Sequence, residues 1–260
     1  MGLPSITVAV QCHNFQRRLS WMLSSLVDQN FRDKYELVFD LAYVAEESDP
    51  KMSDILSTFR KDGIKIKDRK YDGFDRFQFR GFVRNDQLKD CKTDMMLFSD
   101  ADMVYHPDFI YSLVKLLTLD PEYKDYPGVL IAGRYSNPIE PTNELVDSKD
   151  YKFNTYVDNA WAEADKLDKV KRRSVGAGYF QLINTKKCNH GGLYVDEKSC
   201  RDWGWYDGKR NMQKARSDQQ FRRRVREKKH MPKWFHSHQI HLNHFRDNTH
   251  GGGGHLETQR

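Results

Sequence analysis

Two aspartates near the middle of the chain, Asp100 and Asp102, are the residues whose types and spacing most directly indicate chemistry. They follow the apolar run Met95–Phe98, which is typical of a buried strand. Carboxylates at positions i and i+2 past a strand end can reach one cation together, and oxygen-only ligation suits Mg²⁺ or Mn²⁺ bridging a diphosphate. Because a D-x-D pair by itself also occurs in solvated turns, its meaning depends on the elements that position it.

The elements before this pair alternate between strand and helix patterns. Strands are predicted at Ile6–Val10, Tyr35–Val44, Ile64–Ile66 and Met95–Phe98, and helices at Arg17–Gln29, from Ser48 onward and at Arg80–Leu88. This order predicts an α/β fold with a doubly wound, mostly parallel sheet. Ligands bind at the carboxyl ends of the strands in such sheets. We therefore expect Gln11–Asn14, Ala45–Ser48 and Ser99–Asp102 to converge on one site.

The rest of the chain has weaker periodicity. Helices are predicted at Phe109–Leu119, Trp161–Val170 and Gln219–Arg226, strands at Val129–Ala132 and Tyr179–Ile183, and a turn at Gly191-Gly192. No linker that would separate two domains is visible. Residues 1–250 are therefore predicted to form one domain, followed by a flexible glycine-rich tail at 251–260.

Composition places the chain among folded, reduced proteins. Its 260 residues are 38% hydrophobic and 13% aromatic, which argues against disorder. No stretch approaches 18 apolar residues, and the first strand is not preceded by a basic segment, so neither a transmembrane segment nor a signal peptide is expected. The four scattered cysteines are Cys12, Cys91, Cys188 and Cys200. They favour reduced thiols, and a cytoplasmic location is expected.

Charge is distributed unevenly along the chain. Residues 1–150 contain 20 Lys and Arg against 25 Asp and Glu, whereas residues 151–260 contain 23 against 12. Such asymmetry between halves indicates an anionic partner, although charge runs are usually solvated faces.

Three segments together resemble GT-A glycosyltransferases of the family-2-like kind, which transfer a sugar from a nucleotide diphosphate donor. The first is ITVAVQCHNFQRRLSWMLSSLVDQ; the second is Arg80–Asn85 with the later LFSDADM, similar to an RN element and a DxD motif. The third comprises Gly176–Gln181, GGLYVDE at 191–197 and Trp203-Gly204, similar to a glycine-rich strand, a GG-DE turn and a WG pair. The resemblance implies a GT-A fold whose nucleotide-sugar half is residues 1–105 and whose acceptor half is residues 106–250.

A closer likeness is to beta-1,4-galactosyltransferases, in which an FSDxDL motif is followed late in the chain by a metal-binding histidine element. FSDADM and His241-Leu242-Asn243-His244-Phe245-Arg246-Asp247 match that layout. The resemblance implies Mn²⁺ or Mg²⁺ held by Asp102, with Asp100 on the ribose or on the metal's water shell. His244, with His241 as a second candidate, would complete the site. Residues 230–255 contain seven histidines, so most of these are expected to be surface residues.

The acidic element that follows the WG pair in these families has two candidates here. Ser217-Asp218 precedes the helical run FRRRV as a helix N-cap would, so Asp218 is predicted as the general base of an inverting reaction. Asp207 is the competing candidate. A retaining mechanism remains open if no base lies opposite the leaving group.

Further residues are expected to bind the donor or the acceptor. Gln11, His13 and Asn14 would frame the nucleobase, Glu46 or Glu47 would hold the base or ribose, and Arg84 would contact the uracil or a phosphate, with Asn85 ordering its loop. A solvated helix face is an equally good interpretation of Arg84. Trp203, Trp205 and Tyr206 would stack on the acceptor, or simply pack in the core.

The sequence thus predicts a metal-dependent enzyme that uses a nucleotide sugar, with UDP-sugar expected. The acceptor is a glycan or, given the basic half, an anionic molecule such as hydroxymethylated DNA; the oligomeric state is left open. One alternative is a polyanion- or nucleic-acid-binding protein with a vestigial donor site. Another is a nucleotidyltransferase, which would usually carry a glycine-rich loop after the first strand, where QCHNFQRR has none.

Overall fold

The computed structural model describes a nearly continuous N-terminal part of the chain and several segments beyond it. The described residues are 3–44, 51–73, 77, 80–124, 129–132, 135–136, 180–186, 221, 223–225, 227, 233–235 and 239–242. The predicted turn at 191–192, helix at 161–170 and tail at 251–260 lie outside these residues, as does the predicted helix start at Ser48.

The strands of this part of the chain are β1 (Ile6–Cys12), β2 (Leu37–Val44), β3 (Lys65–Tyr71), β4 (Met95–Asp100), β5 (Met103–Tyr105), β6 (Val129–Ala132), β7 (Tyr135–Ser136), β8 (Gln181–Asn184), β9 (Lys233–Phe235) and β10 (Gln239–His241). Its helices are α1 (Gln16–Val27), α2 (Met52–Lys61), α3 (Arg80–Lys89), α4 (Phe109–Leu119) and the short α5 (Pro121–Lys124), with a 3-10 turn at Arg32–Lys34. The described residues between 221 and 227 are also helical, as predicted.

Seven strands form the main sheet, in the order β3-β2-β1-β4-β8-β6-β9. Strands β3, β2, β1 and β4 are mutually parallel, and only β8 opposes its neighbours among the paired strands of this sheet. The prediction of a mostly parallel α/β sheet is confirmed. The chain moves outward from β1 through β2 to β3 and then returns to the other side of β1. The carboxyl ends of β1 and β4 therefore meet at a topological switch point, where ligands bind in open α/β sheets.

Both faces of the sheet are covered, which explains the near-continuous apolar runs of its central strands. Ile6, Val8 and Val10 lie in one buried cluster with α1, α2 and α4. Ala9, on the opposite face because side chains alternate along a strand, packs with Leu88 of α3 and with the helical residues after position 220. Helix α3 is thus separated from α1 and α2 by the sheet.

Several element boundaries differ from the predictions for identifiable reasons. Strand β3 extends to Tyr71 although its side chains are mostly polar and exposed, because it is an edge strand that pairs with β2 over its whole length. Strand β4 continues to Asp100, since Asp100 still pairs with Gln11 of β1. The short strands β5, β7, β9 and β10 were missed, since each depends on a partner distant in sequence.

The described residues bear on the expectations about membrane-spanning segments and about cysteine pairing. None of the helices in this part of the chain has the length and apolar character needed to cross a bilayer. Neither Cys12 nor Cys91, the two cysteines within it, forms a disulfide.

A buried carboxylate fixes the position of α3 and β3 against β2. Asp40, in the middle of β2, is 1% exposed and accepts two hydrogen bonds of 3.0 Å each from the Arg69 guanidinium. The Gln87 amide of α3 donates to the Asp40 carboxylate at 3.2 Å, to its carbonyl at 2.9 Å and to the Val10 carbonyl at 3.2 Å. These bonds join the helix to two strands of the sheet.

Asp40→Ala is expected to lower the free energy of unfolding by about 2 kcal/mol or more, because it removes one member of a buried, hydrogen-bonded ion pair. The matched control is Lys65→Ala. The ammonium of Lys65 lies 2.7 Å from the Glu36 carboxylate in an exposed pair, so its loss is expected to cost less than about 1 kcal/mol. Urea unfolding of both variants measures the difference, and equal losses would contradict a structural role for Asp40.

Candidate functional site

The switch point brings polar side chains of two strands together. Gln11 and Asp100 are register partners near the carboxyl ends of β1 and β4, so their side chains project from the same face of the sheet. Asp102 follows in the turn to β5. The Asp102 residue is 4% exposed, whereas the Asp100 side chain is 27% exposed. The two predicted carboxylates therefore occupy different environments.

The acidic turn, residues Asp100–Asp102, is fixed to the small second sheet formed by β5, β10 and β7. The Leu242 amide donates to the Asp102 carbonyl at 2.8 Å. Antiparallel pairing of β10 with β5 sets His241 opposite Met103. The main chain of His241 consequently lies beside the acidic turn.

A buried tyrosine closes the loop around the turn. The Tyr105 hydroxyl donates to the Ser99 hydroxyl at 2.6 Å, and its ring stacks on Phe109 with centroids 4.5 Å apart. Burial raises the pKa of Tyr105 well above its ordinary value, and the negative charges of Asp100 and Asp102 act in the same direction. The hydroxyl therefore stays protonated and holds the residues on either side of the turn together.

Two arginines one helical turn apart on α3 face the Asp100 carboxylate. The same Oδ1 atom lies 3.6 Å from Nη1 of Arg80 and 3.8 Å from Nη2 of Arg84. Arg84 is 3% exposed, so the interpretation of this residue as part of a solvated helix face is wrong. Its Nη1 donates to the Gln181 amide oxygen at 3.2 Å.

Arg80 and Gln181 were not singled out as site residues in the sequence. The helical spacing of Arg80 and Arg84 could have indicated a shared face. Gln181 carries no comparable local signal, since it reaches the site only because β8 pairs with β4.

The end of β1 forms the second part of the site. The Gln11 Nε2 atom donates to the Phe77 carbonyl, and its Oε1 atom is buried without a hydrogen-bond partner among the described residues. The His13 and Phe77 rings meet edge to face, with centroids 6.2 Å apart. Asn14 has a φ of 58°, a left-handed conformation that asparagine adopts more readily than most residues. Burial lowers the pKa of His13, which favours the neutral imidazole.

The structure thus brings Gln11, Arg84 and Asp100 together, with Asp102 in the adjoining turn and His13 and Asn14 at the end of β1. Several predicted site residues lie outside the described part of the chain: Glu46, Glu47, Trp203, Trp205, Tyr206, Asp207, Asp218 and His244.

The acidic turn offers carboxylate oxygens, which suit a hard divalent cation. Asp102, buried at the switch point beside the partly exposed Asp100, fits such a role. Within the described residues, no group of three or more His, Cys, Asp or Glu is arranged to hold a metal ion. Completion of a metal site would therefore depend on a bound ligand, on water or on the remaining residues.

Comparisons with known proteins support the fold. No protein-family model matches the sequence, and no curated protein matches it significantly. Among solved structures, the mannosyltransferase PcManGT from Pyrobaculum calidifontis in complex with GDP-Man and Mn²⁺ is similar. Its TM-score is 0.52 at 14% identity, over 95% of this chain and 59% of that chain. S. aureus TarS 1–349 in complex with UDP gives a TM-score of 0.43 at 18% identity, over 51% of this chain and 36% of that chain.

The chain therefore spans about three fifths of the mannosyltransferase and about a third of the TarS fragment. The overall likeness to the mannosyltransferase, together with the mostly parallel sheet, shows an α/β fold of the GT-A type. The finer resemblance to beta-1,4-galactosyltransferases stays a prediction.

The lowered pKa of His13 predicts a pH dependence of stability. The unfolded chain binds a proton at His13 more readily than the folded chain, so stability is complete above the ordinary pKa of about 6.5 and falls as the pH drops below it. Replacing His13 with Gln is expected to reduce this loss. Urea unfolding at pH 7.5 and 5.5 tests this expectation, and His106→Gln, which changes a partly exposed histidine, is the control. If His13→Gln loses as much stability at the lower pH as the wild type, the pH dependence does not come from His13.

Proposed function

We propose that the protein is a metal-dependent glycosyltransferase that moves a sugar from a nucleotide diphosphate sugar, with UDP-sugar as the expected donor, to an acceptor hydroxyl. The observation that carries the proposal is the acidic turn at the switch point. There a buried Asp102 and an arginine-flanked Asp100 lie at the carboxyl ends of β1 and β4. The GT-A fold supports it, because that fold is used by enzymes of this class.

Asp102 would hold Mn²⁺ or Mg²⁺ directly, and Asp100 would contact the ribose or the water around the cation. His244, in the segment after β10, or else His241, the last residue of β10, would complete the ligand set. A bound cation of this kind supplies charge neutralisation for the departing diphosphate. The pairing of β10 with β5 supports this assignment, since it carries the chain toward the turn.

The charges around the turn suit a diphosphate. The negative charges of Asp100 and Asp102 are balanced by the positive charges of Arg80 and Arg84. A bound divalent cation would therefore give the site a net positive charge that attracts an anion. The Arg80 side chain is 36% exposed and stands at the first residue of α3, from which it can reach a phosphate oxygen. It would hold the donor while Arg84 stays with Asp100.

The nucleobase would lie against the end of β1. The buried Oε1 atom of Gln11 can accept a hydrogen bond from a ring N–H, such as N3–H of uracil. Neutral His13 and the Phe77 ring would form the wall of this pocket. Asn14 and Glu46 would contribute at its rim.

On the acceptor side, Asp218 would act as general base and give inversion, with Asp207 as the alternative base. Trp203, Trp205 and Tyr206 would stack on the acceptor. The basic excess of residues 151–260 favours an anionic acceptor, such as hydroxymethylated DNA, over a neutral glycan. The same excess is the one observation that favours the second candidate, a polyanion-binding protein with a vestigial donor site.

Release of sugar from UDP-sugars in the presence of Mn²⁺ tests the proposal. Asp102→Asn is expected to reduce the rate by about a hundredfold or more, the factor that about 2.7 kcal/mol of transition-state stabilisation represents. The control is Asp54→Asn, which changes an exposed aspartate in the first turn of α2. If no nucleotide sugar is turned over while nucleic acid still binds, the enzyme proposal fails and the binding-protein alternative is supported.

A further inference from the structure

The guanidinium of Arg84 lies between α3 and the main sheet, almost completely removed from solvent. A buried charge is tolerated only when it is paired and hydrogen-bonded, so the groups around it determine where it sits. Its Cζ atom lies 5.5 Å from the centre of the Phe98 ring, which covers one side of the group.

Two strands share this guanidinium. Nη1 donates to Gln181 of β8 at 3.2 Å, and Nη2 lies 3.8 Å from the Asp100 carboxylate of β4. Gln181 pairs in register with Phe98, and Asp100 is two residues further along the same strand face. Helix α3, β8 and β4 therefore meet at the Arg84 guanidinium, directly beside the acidic turn.

Gln181 is 0% exposed, and its side chain is neutral. A neutral amide can anchor the guanidinium by a hydrogen bond without compensating its charge. A carboxylate in the same place would pair with Arg84 and draw its charge away from Asp100. The choice of glutamine thus keeps one full positive charge available to the first aspartate of the turn.

We propose that Gln181 is a positioning residue of the donor site. Its amide oxygen holds the Arg84 guanidinium beside the Asp100 carboxylate, so that the two charges pair. Asp102 is then the carboxylate that binds the divalent cation. The proposal rests on the proposed function of the turn as a cation–diphosphate site. With Asp100 paired to Arg84, the divalent cation is expected to bind weakly in the absence of nucleotide. It is expected to bind strongly when the diphosphate of the donor adds its oxygens as ligands.

Gln181→Glu tests this proposal with two ligands, Mn²⁺ and UDP, whose affinities are expected to change in opposite directions. Mn²⁺ alone, followed by electron paramagnetic resonance of the free ion, is expected to bind about tenfold more tightly, because Arg84 turns to the new carboxylate and releases Asp100. UDP at saturating Mn²⁺, followed by calorimetry, is expected to bind about tenfold more weakly, since the added carboxylate neutralises the positive charge of Arg84. Shifts in the same direction, or none, would overturn the proposal.

Gln181→Met separates anchoring from charge, because it removes the amide and adds no charge. UDP affinity at saturating Mn²⁺ is expected to fall about tenfold. The matched control is Gln29→Met, which removes a buried amide that bonds to the Ser25 and His106 carbonyls and to the Ile110 N–H, none of which belongs to the acidic turn. It is expected to lower stability and leave UDP affinity unchanged. Equal UDP affinity in Gln181→Met and the wild type would contradict the proposal.

A double-mutant cycle keeps this inference distinct from the proposed function. Gln181→Met, Arg84→Met and the double variant are compared by urea unfolding, without metal or nucleotide. A coupling of about tenfold in the unfolding constant is expected if the amide anchors the guanidinium. Independent effects would refute the anchor even if the wild type binds UDP. Coupling without UDP binding by the wild type would instead refute the proposed function.

Discussion

The parallel pairing of β1 with β4 is the constraint on which the rest of the site depends. It sets Gln11 beside Asp100 and makes the carboxyl ends of both strands meet where the order of the sheet reverses. A shift of one residue in this register would turn Asp100 to the other face of the sheet, away from α3. The register is maintained by apolar burial on both faces, so the packing of the core and the geometry of the site have one origin.

Charge compensation then gives the two aspartates different environments. Asp100 faces two guanidiniums, and Asp102 is buried in a turn closed by the Tyr105–Ser99 hydrogen bond and the Leu242 amide. Neighbouring carboxylates repel each other, and the arginines of α3 relieve this repulsion before any ligand binds. The acidic turn is thereby fixed in advance, as the proposed donor site requires.

Local patterns predicted much of this arrangement. Helix α4 was predicted with its observed bounds, and the alternation of elements through β4 was sufficient to predict the mostly parallel sheet. What could not be predicted depends on pairing between distant segments. Strand β10 is recognisable only once it lies on β5, and Gln181 becomes relevant only because β8 lies next to β4. Arg84 was ambiguous because burial, which decides between a surface and a site arginine, is a tertiary property.

In the proposed function, the acidic turn binds a divalent cation together with the diphosphate of a nucleotide. Anomalous X-ray diffraction from crystals grown with MnCl₂ and UDP tests this most directly, because the manganese signal locates the ion without assumptions about activity. We expect a peak within direct coordination distance of the Asp102 carboxylate and of the diphosphate oxygens, with Arg84 still between Gln181 and Asp100. Manganese bound elsewhere, or UDP bound away from the carboxyl ends of β1 and β4, would contradict it.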